Sequence, residues 1–428
     1  MTAIPFISFT IFLLLNVPIA VSLALATFSA IIFSGAAIPL VIVPQRMFTS
    51  IDSFPFMAIP FFMLAGAIME SGGISKRLVA FAKCLVGSLP GGMGIITVLS
   101  CGFFGVMTGS NAATVAAIGG IMIPAMEKDN YPSDYACAVT AAAGTLGVVT
   151  PPSVPMITYA VISGASIGAM FIAGFMPALL MIVTLIIMIV ITSKKYVIIN
   201  SVRTTRKELI SSFFSAILAF GMPLIILGGI YGGFVTPTEA AAVAVVYALI
   251  VSLFIYRELK IKDLYGVIIK AGKNTATVLF VIATSGAFSW LLTSQRIPDA
   301  AARAILSISD NYFVIMFMIN ILLLVLGLFL ETNALILLLT PMLLPIAAHL
   351  EVNLIVLGLI IVVNTSIGML TPPLALNVMI AAGIGNQPLE AISRKVLPFL
   401  FALITNIFII TYFPEIILFL PRILGMNV

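Results

Sequence analysis

Four short stretches of this 428-residue sequence set oxygen-bearing side chains and prolines among apolar neighbours: Thr108-Gly109-Ser110-Asn111, Thr150-Pro151-Pro152, Glu331-Thr332-Asn333 and Thr371-Pro372-Pro373. Polar groups in apolar surroundings cost free energy unless paired, so they call for a use. Proline has no N–H, so Pro151 and Pro152 free the carbonyls of Gly147 and Val148, and Pro372 and Pro373 those of Gly368 and Met369. Thr150 and Thr371 each precede a proline and are pushed out of helical geometry. The result is a set of hydroxyl, amide and carbonyl oxygens, ligands that Na⁺ takes where transporter helices unwind. The half-helix N-termini beyond each break carry partial positive charge, suited to a carboxylate. Glu331 has no evident capping role, and an intramembrane carboxylate is a functional candidate, with a structural role at a hairpin tip as the alternative. Glu239 differs: Thr236-Pro237-Thr238-Glu239 reads as a capping box, with Thr at N-cap, Pro at N1 and Glu at N3. Catalysis is not indicated. An enzyme site needs a nucleophile–base pair or metal ligands, and the one His, His349, has no second ligand at helical spacing.

The elements that position these groups are membrane helices. The chain is 62% hydrophobic and 8% charged, against about 25% charged in soluble domains. Runs such as 170–192, 355–369 and 396–420 approach or exceed the roughly 20 apolar residues that a bilayer crossing needs. The alternation of a membrane β-barrel is missing, so the expected class is an all-α polytopic protein in a lipid bilayer. The net charge of +5 reflects loop anchors and not nucleic-acid binding, and Cys84, Cys101 and Cys137 read as small apolar residues. The first residues lack the positive charge of a cleavable leader. No GxxxxGK[ST] loop is present to bind ATP.

Two long apolar elements, 91–125 and 312–349, are expected to be re-entrant helical hairpins; 135–162 and 352–384 are expected to be broken helices. The arms of the first hairpin, about 94–107 and 112–125, would each rise roughly 21 Å, too short to cross. With the midpoint loop cytoplasmic and both hairpins re-entrant, sixteen of the 20 Lys and Arg fall on the cytoplasmic side, leaving Arg46, Arg296, Arg303 and Arg422 opposite. This is the bias the positive-inside rule describes. Residues 5–34 stay ambiguous, since Pro18 could separate two crossings.

The chain also repeats itself. A shift of 221 residues brings nine identities into register between 113 and 177, including Pro124 on Pro345, Gly147 on Gly368, Thr150-Pro151-Pro152 on Thr371-Pro372-Pro373, and Pro177 on Pro398. Each window holds six prolines and four coincide. With an odd number of crossings per copy the halves are inverted, the arrangement of secondary transporters with sites near the bilayer midplane. The expected division is 1–193 as first repeat, 194–211 as basic cytoplasmic linker, and 212–428 as second repeat.

"TGSNAATVAAIGGIMIPAM", "AAGTLGVVTPPSVPMITYAVISGASIGAMFIAGFMPALL", "GGIYGGFVTPTEAAAVAVVYAL" and "VNTSIGMLTPPLALNVMIAAGIGNQPLEAISRKVLPFL" resemble the large membrane subunit of TRAP (tripartite ATP-independent periplasmic) transporters, along essentially the full chain. The resemblance implies an inverted-repeat, elevator-type transporter in the bacterial inner membrane. It implies Na⁺ as coupling ion, a small four-helix (Q-type) membrane subunit and a periplasmic substrate-binding protein that delivers an organic acid, sialic acid or a C4-dicarboxylate. Carried over by position, one Na⁺ site falls on Ser110, Asn111, Gly147, Val148 and Thr150, and the other on Thr332, Asn333, Gly368, Met369 and Thr371. Thr108, Pro151, Pro152, Glu331, Pro372 and Pro373 become substrate or gate candidates. The same oxygen clusters would also serve a stand-alone Na⁺/carboxylate symporter, and a passive channel is a more distant alternative.

Overall fold

The computed structural model describes residues 3–33, 38–86, 91–196, 206–372 and 375–426, and these are helical with no strand among them. Pro373 and linker residues 197–205 lie outside the described residues. Seven described helices are long and apolar enough to cross a membrane, or eight if the bent pair Ser133–Val149 and Val154–Ser163 counts as one span.

Helices apolar on every side belong in an interior. Accordingly, residues 135–160 and 355–370 are buried throughout. These are the two broken helices. Around them lie helix pair Gly92–Thr108 and Asn111–Lys128, helix pair Tyr312–Gly327 and Thr332–His349, and long helices Ile167–Ser193 and Leu389–Tyr412. A second group, Arg206–Tyr231, Pro237–Leu249, Ala58–Ser71 and Ile261–Ser294, packs on itself and meets the first along Ile261–Ser294 and Thr332–His349. The capping box forms as expected: Thr236 Oγ1 accepts from the Glu239 N–H at 3.3 Å, and Glu239 Oε2 accepts from the Thr236 N–H at 2.7 Å.

The 221-residue spacing recurs in the helices themselves. Asn111–Lys128 and Thr332–His349 start and end 221 apart, as do the starts of Ser133–Ala143 and Leu354–Gly368. Contacts are reciprocal: Val154–Ser163 lies on Thr332–His349, and Leu376–Gly385 lies on Asn111–Lys128. Ser366 Oγ donates to the carbonyl of Thr145 at 2.7 Å, and these two positions are themselves equivalent under the shift. Reciprocal contacts, with equivalent positions touching, are what a two-fold relation produces.

Two expectations need correction. The hairpin arms are longer than the expected 14 residues, at 17 and 18 in the first and 16 and 18 in the second. At about 1.5 Å per residue they rise roughly 24–27 Å, so length does not mark them as re-entrant. Residues 70–90, which the sequence leaves as a cytoplasmic loop between apolar elements, are not a plain loop, because Ile74–Val86 is a helix against Gly92–Thr108. Lys76, Arg77 and Lys83 interrupt its apolar run, yet Ile74, Leu78, Phe81, Ala82 and Val86 share one buried face. Ile297–Leu306 is its counterpart beside Thr332–His349, and it carries Arg303. At the N-terminus Ile4–Leu14 and Ile19–Phe33 are separate helices packed on each other, with Asn16 at φ 60° between them.

Candidate functional site

The first hairpin turns at Gly109, whose φ of 57° suits a residue without Cβ. Ser110 is extended and caps the next helix, its hydroxyl accepting from the Ala113 N–H at 3.4 Å. This tip sits on the first break. A Cβ at Gly109 would lie 3.1 Å from Ser153 Cα, and one at Gly147 would lie 2.5 Å from the Ser110 carbonyl oxygen and 2.7 Å from Thr114 Oγ1. Gly147→Ala is expected to destabilise by about 1–3 kcal/mol, the usual cost of overpacking, seen as a lower melting midpoint in detergent. Gly120→Ala, where an added Cβ meets nothing, should leave the midpoint in place. An unchanged midpoint for Gly147→Ala would mean that the tip does not rest on the break.

The break follows from its prolines. Thr150 is extended, as a residue before proline should be, and Ser153 restarts the helix at Val154 as its N-cap. Among the described residues no N–H reaches the carbonyl of Gly147 or Val148. The Thr150 hydroxyl donates back to the Leu146 carbonyl at 2.8 Å, which leaves its lone pairs open. Pro151 packs towards Gly174, and the Pro152 carbonyl faces Gly109.

Asn111, 1% exposed, ties three segments together. Its Oδ1 accepts from the Val148 N–H at 3.0 Å, and its Nδ2 donates to Ser366 Oγ at 2.9 Å and more weakly to Met369 Sδ at 3.7 Å. Thr108 Oγ1 lies 3.0 Å from Thr114 Oγ1 beneath the tip.

The second break differs in three respects from the arrangement expected. Its carbonyls are not bare: Gly368 accepts from the Thr371 N–H at 2.9 Å and Met369 from the Asn377 N–H at 3.2 Å. A helix resuming at Leu376 places the Asn377 N–H within reach, although each carbonyl keeps a second lone pair. Asn333 does not bond to this break. Its Nδ2 donates to Glu331 Oε1 at 2.8 Å, and its Oδ1 accepts from Thr158 Oγ1, in the other repeat, at 3.3 Å. Glu331 proves to be the N-cap residue of Thr332–His349, equivalent to Ser110, where a negative charge is favoured by the helix dipole. Thr371 Oγ1 donates to the Ile367 carbonyl at 3.2 Å, repeating the Thr150 pattern, and Thr332 Oγ1 donates to Met369 Sδ at 3.5 Å. Pro372 is half-buried beside Thr371.

Both tips open on one partly enclosed cavity of about 100 Å³. Of the expected residues, Thr108, Ser110, Asn111, Val148, Glu331, Thr332, Asn333 and Met369 line it, whereas Gly147, Thr150, Pro151, Pro152, Gly368, Thr371 and Pro372 are not part of its lining. Sequence reasoning missed Met63 and Val278, single apolar residues from the second helix group, and Val154 and Leu376 at the restarted helices. It also missed Thr145 and Ser366, which the 221-residue shift could have paired. Four helices begin at the cavity wall, at Asn111, Val154, Thr332 and Leu376. Among the described residues no Lys or Arg lines it. Such a wall offers helix N-termini to an anion and carbonyl, hydroxyl and amide oxygens to a cation.

Residues 6–416 match the family described as "Tripartite ATP-independent periplasmic transporter, DctM component". The chain is 42% identical over 412 residues to the isethionate TRAP transporter permease protein DctMQ of Oleidesulfovibrio alaskensis, covering 96% of this chain and 65% of that protein, and so spans just under two thirds of that relative's length. It is 39% identical over 382 residues to the C4-dicarboxylate TRAP transporter large permease protein DctM of Pseudomonas aeruginosa, covering 89% of this chain and 90% of that protein. The crystal structure of the YdaH transporter of Alcanivorax borkumensis is similar in fold, with a TM-score of 0.61 at 15% identity over 88% of this chain and 89% of that one. The chain is a multi-pass membrane protein and belongs to the DctM family, the large permeases of tripartite ATP-independent periplasmic transporters.

Proposed function

We propose that this chain performs Na⁺-coupled secondary uptake of an organic acid across the bacterial inner membrane. It would work with a small Q-type membrane subunit and a periplasmic binding protein. The observation that carries the reading is the convergence of both hairpin tips and four helix N-termini on a single cavity that has, among the described residues, no basic side chain. Na⁺ is read as a transported partner of the acid. Ser110, Asn111, Gly147, Val148 and Thr150 would hold one ion, an assignment supported by the two free carbonyls. Thr332, Asn333, Gly368, Met369 and Thr371 would hold a second, through lone pairs left over after their hydrogen bonds. The two repeats are read as inverted, and the hairpins and broken helices as a body that slides, elevator-fashion, against the group containing Ala58–Ser71 and Ile261–Ser294. The named relatives act on isethionate and C4-dicarboxylates, short organic acids of the class proposed here.

The test is uptake in proteoliposomes under an inward Na⁺ gradient. This chain with its small subunit and the loaded binding protein should accumulate the acid. Omitting any one component, or replacing Na⁺ by K⁺, should reduce accumulation to background. Uptake by this chain alone would make it a stand-alone symporter, and uptake indifferent to Na⁺ would remove the coupling ion.

A further inference from the structure

A second cavity, of about 200 Å³, lies where the two helix groups meet. Val161, Ile162, Leu337 and Pro341 wall it on the side of the first broken helix and the second hairpin. Ile282, Gly286 and Ser289 of Ile261–Ser294 wall it opposite. The first cavity touches the same three helices nearer the tips, at Val154, Asn333 and Val278. The steps from Val278 to Ile282 and from Asn333 to Leu337 are each about one helical turn. The two cavities therefore lie in line along one seam, and they share no lining residue. Thr158 falls between them on Val154–Ser163, buried and bonded to Asn333 at 3.3 Å.

The outer end of the seam carries a cation. Ser50, also in the wall of the second cavity, belongs to Ile42–Ile51, which packs along Ile261–Ser294. It sits on Gly286, where no Cβ would fit. About one turn further along both helices, Arg46 lies over the Trp290 ring, 5.1 Å from its centre, a cation–π contact that helps to hold the exposed guanidinium. Among the described residues no Lys or Arg lines either cavity.

We propose that the organic acid enters from the periplasm along this seam, through the second cavity, and that Arg46 draws the anion to its mouth. The proposal rests on the reading of the first cavity as the substrate site and on the orientation with most Lys and Arg cytoplasmic. A guanidinium at the mouth raises the local concentration of anions. Beyond it the wall is largely apolar, with the Ser50 and Ser289 hydroxyls, and holds no counter-charge to trap the acid. The helix N-termini at the tips then receive it. The opposed walls belong to different helix groups, so a shift between the groups opens or shuts the seam, and the layer at Thr158 must part for the acid to pass.

The experiment uses proteoliposomes holding this chain and its small subunit, supplied with the loaded binding protein. Ser289→Cys or Val161→Cys is placed in a background with Cys84, Cys101 and Cys137 replaced. The probes are two membrane-impermeant methanethiosulfonates of similar size, one bearing a sulfonate and the other a trimethylammonium. From the periplasmic face the sulfonate reagent should react at both positions and bring Na⁺-driven uptake down to background. Arg46→Gln, combined with either cysteine, should lower the ratio of sulfonate to ammonium reaction rates by about 3-fold or more at low ionic strength, and by less in high salt, as attraction by one exposed charge requires. Arg46→Lys keeps the charge and should retain the ratio. Uptake that survives complete reaction at both positions, or no reaction from the periplasmic face, would overturn the path. Loss of uptake with an unchanged rate ratio in Arg46→Gln would make the cavity a joint between moving groups and not a route for anions. If the unsubstituted chain in the same complete system takes up no acid, the functional reading fails, and the proposal fails with it.

Discussion

Asn111→Ala is expected to reduce Na⁺-driven uptake by about two orders of magnitude and to lower the melting midpoint. The side chain is buried and bonded to Val148, Ser366 and Met369. Truncation strands the Val148 N–H and takes a partner from the Ser366 hydroxyl. Each buried group left unpaired costs about 1–3 kcal/mol. Two such losses give about 2–6 kcal/mol, and each 1.4 kcal/mol is about a factor of ten. The same side chain borders the free carbonyls of Gly147 and Val148, so the Na⁺ concentration for half-maximal uptake should rise in whatever activity remains. Asn111→Asp keeps an acceptor for Val148 but cannot donate to Ser366, and should fall between the two. A lower midpoint with unchanged Na⁺ dependence would make Asn111 a strap between the repeats and remove it from the ion site.

The features legible beforehand were those with a local cause. Pro151 and Pro152 lack N–H groups wherever they stand, so the break at Thr150 and the bare carbonyls of Gly147 and Val148 follow from sequence. Thr236 and Glu239 lie three residues apart and meet through the geometry of a single helical turn. The 221-residue spacing of the prolines reappears as the spacing of the helices.

Other features depended on distant partners. The Asn333 side chain faces Glu331 and Thr158, because Val154–Ser163 of the first repeat packs against its helix. The Met369 thioether reaches between Asn111 and Thr332, a place that no pattern in the chain marks. The free carbonyls expected at the second break disappear because the restarted helix returns the Asn377 N–H to Met369. Ile74–Val86 and Ile297–Leu306 escaped a search for apolar runs because their apolar residues form a face instead of a run.

The central claim is that two inverted copies bring their tips to one site that is reached from one side at a time. Ser110, the N-cap at the first tip, and Thr332, in the first turn of the helix at the second, both line the cavity. On the proposed orientation, with most Lys and Arg cytoplasmic, the first hairpin would be approached from the cytoplasm and the second from the periplasm. The most direct test places single cysteines at Ser110 and Thr332, in a background with Cys84, Cys101 and Cys137 replaced, and labels each with a membrane-impermeant thiol reagent from either face. Thr332→Cys should react from the periplasmic face only, Ser110→Cys from the cytoplasmic face only, and substrate with Na⁺ should protect both. Labelling of both positions from the same face under every condition would contradict the inverted arrangement and the alternating access built on it.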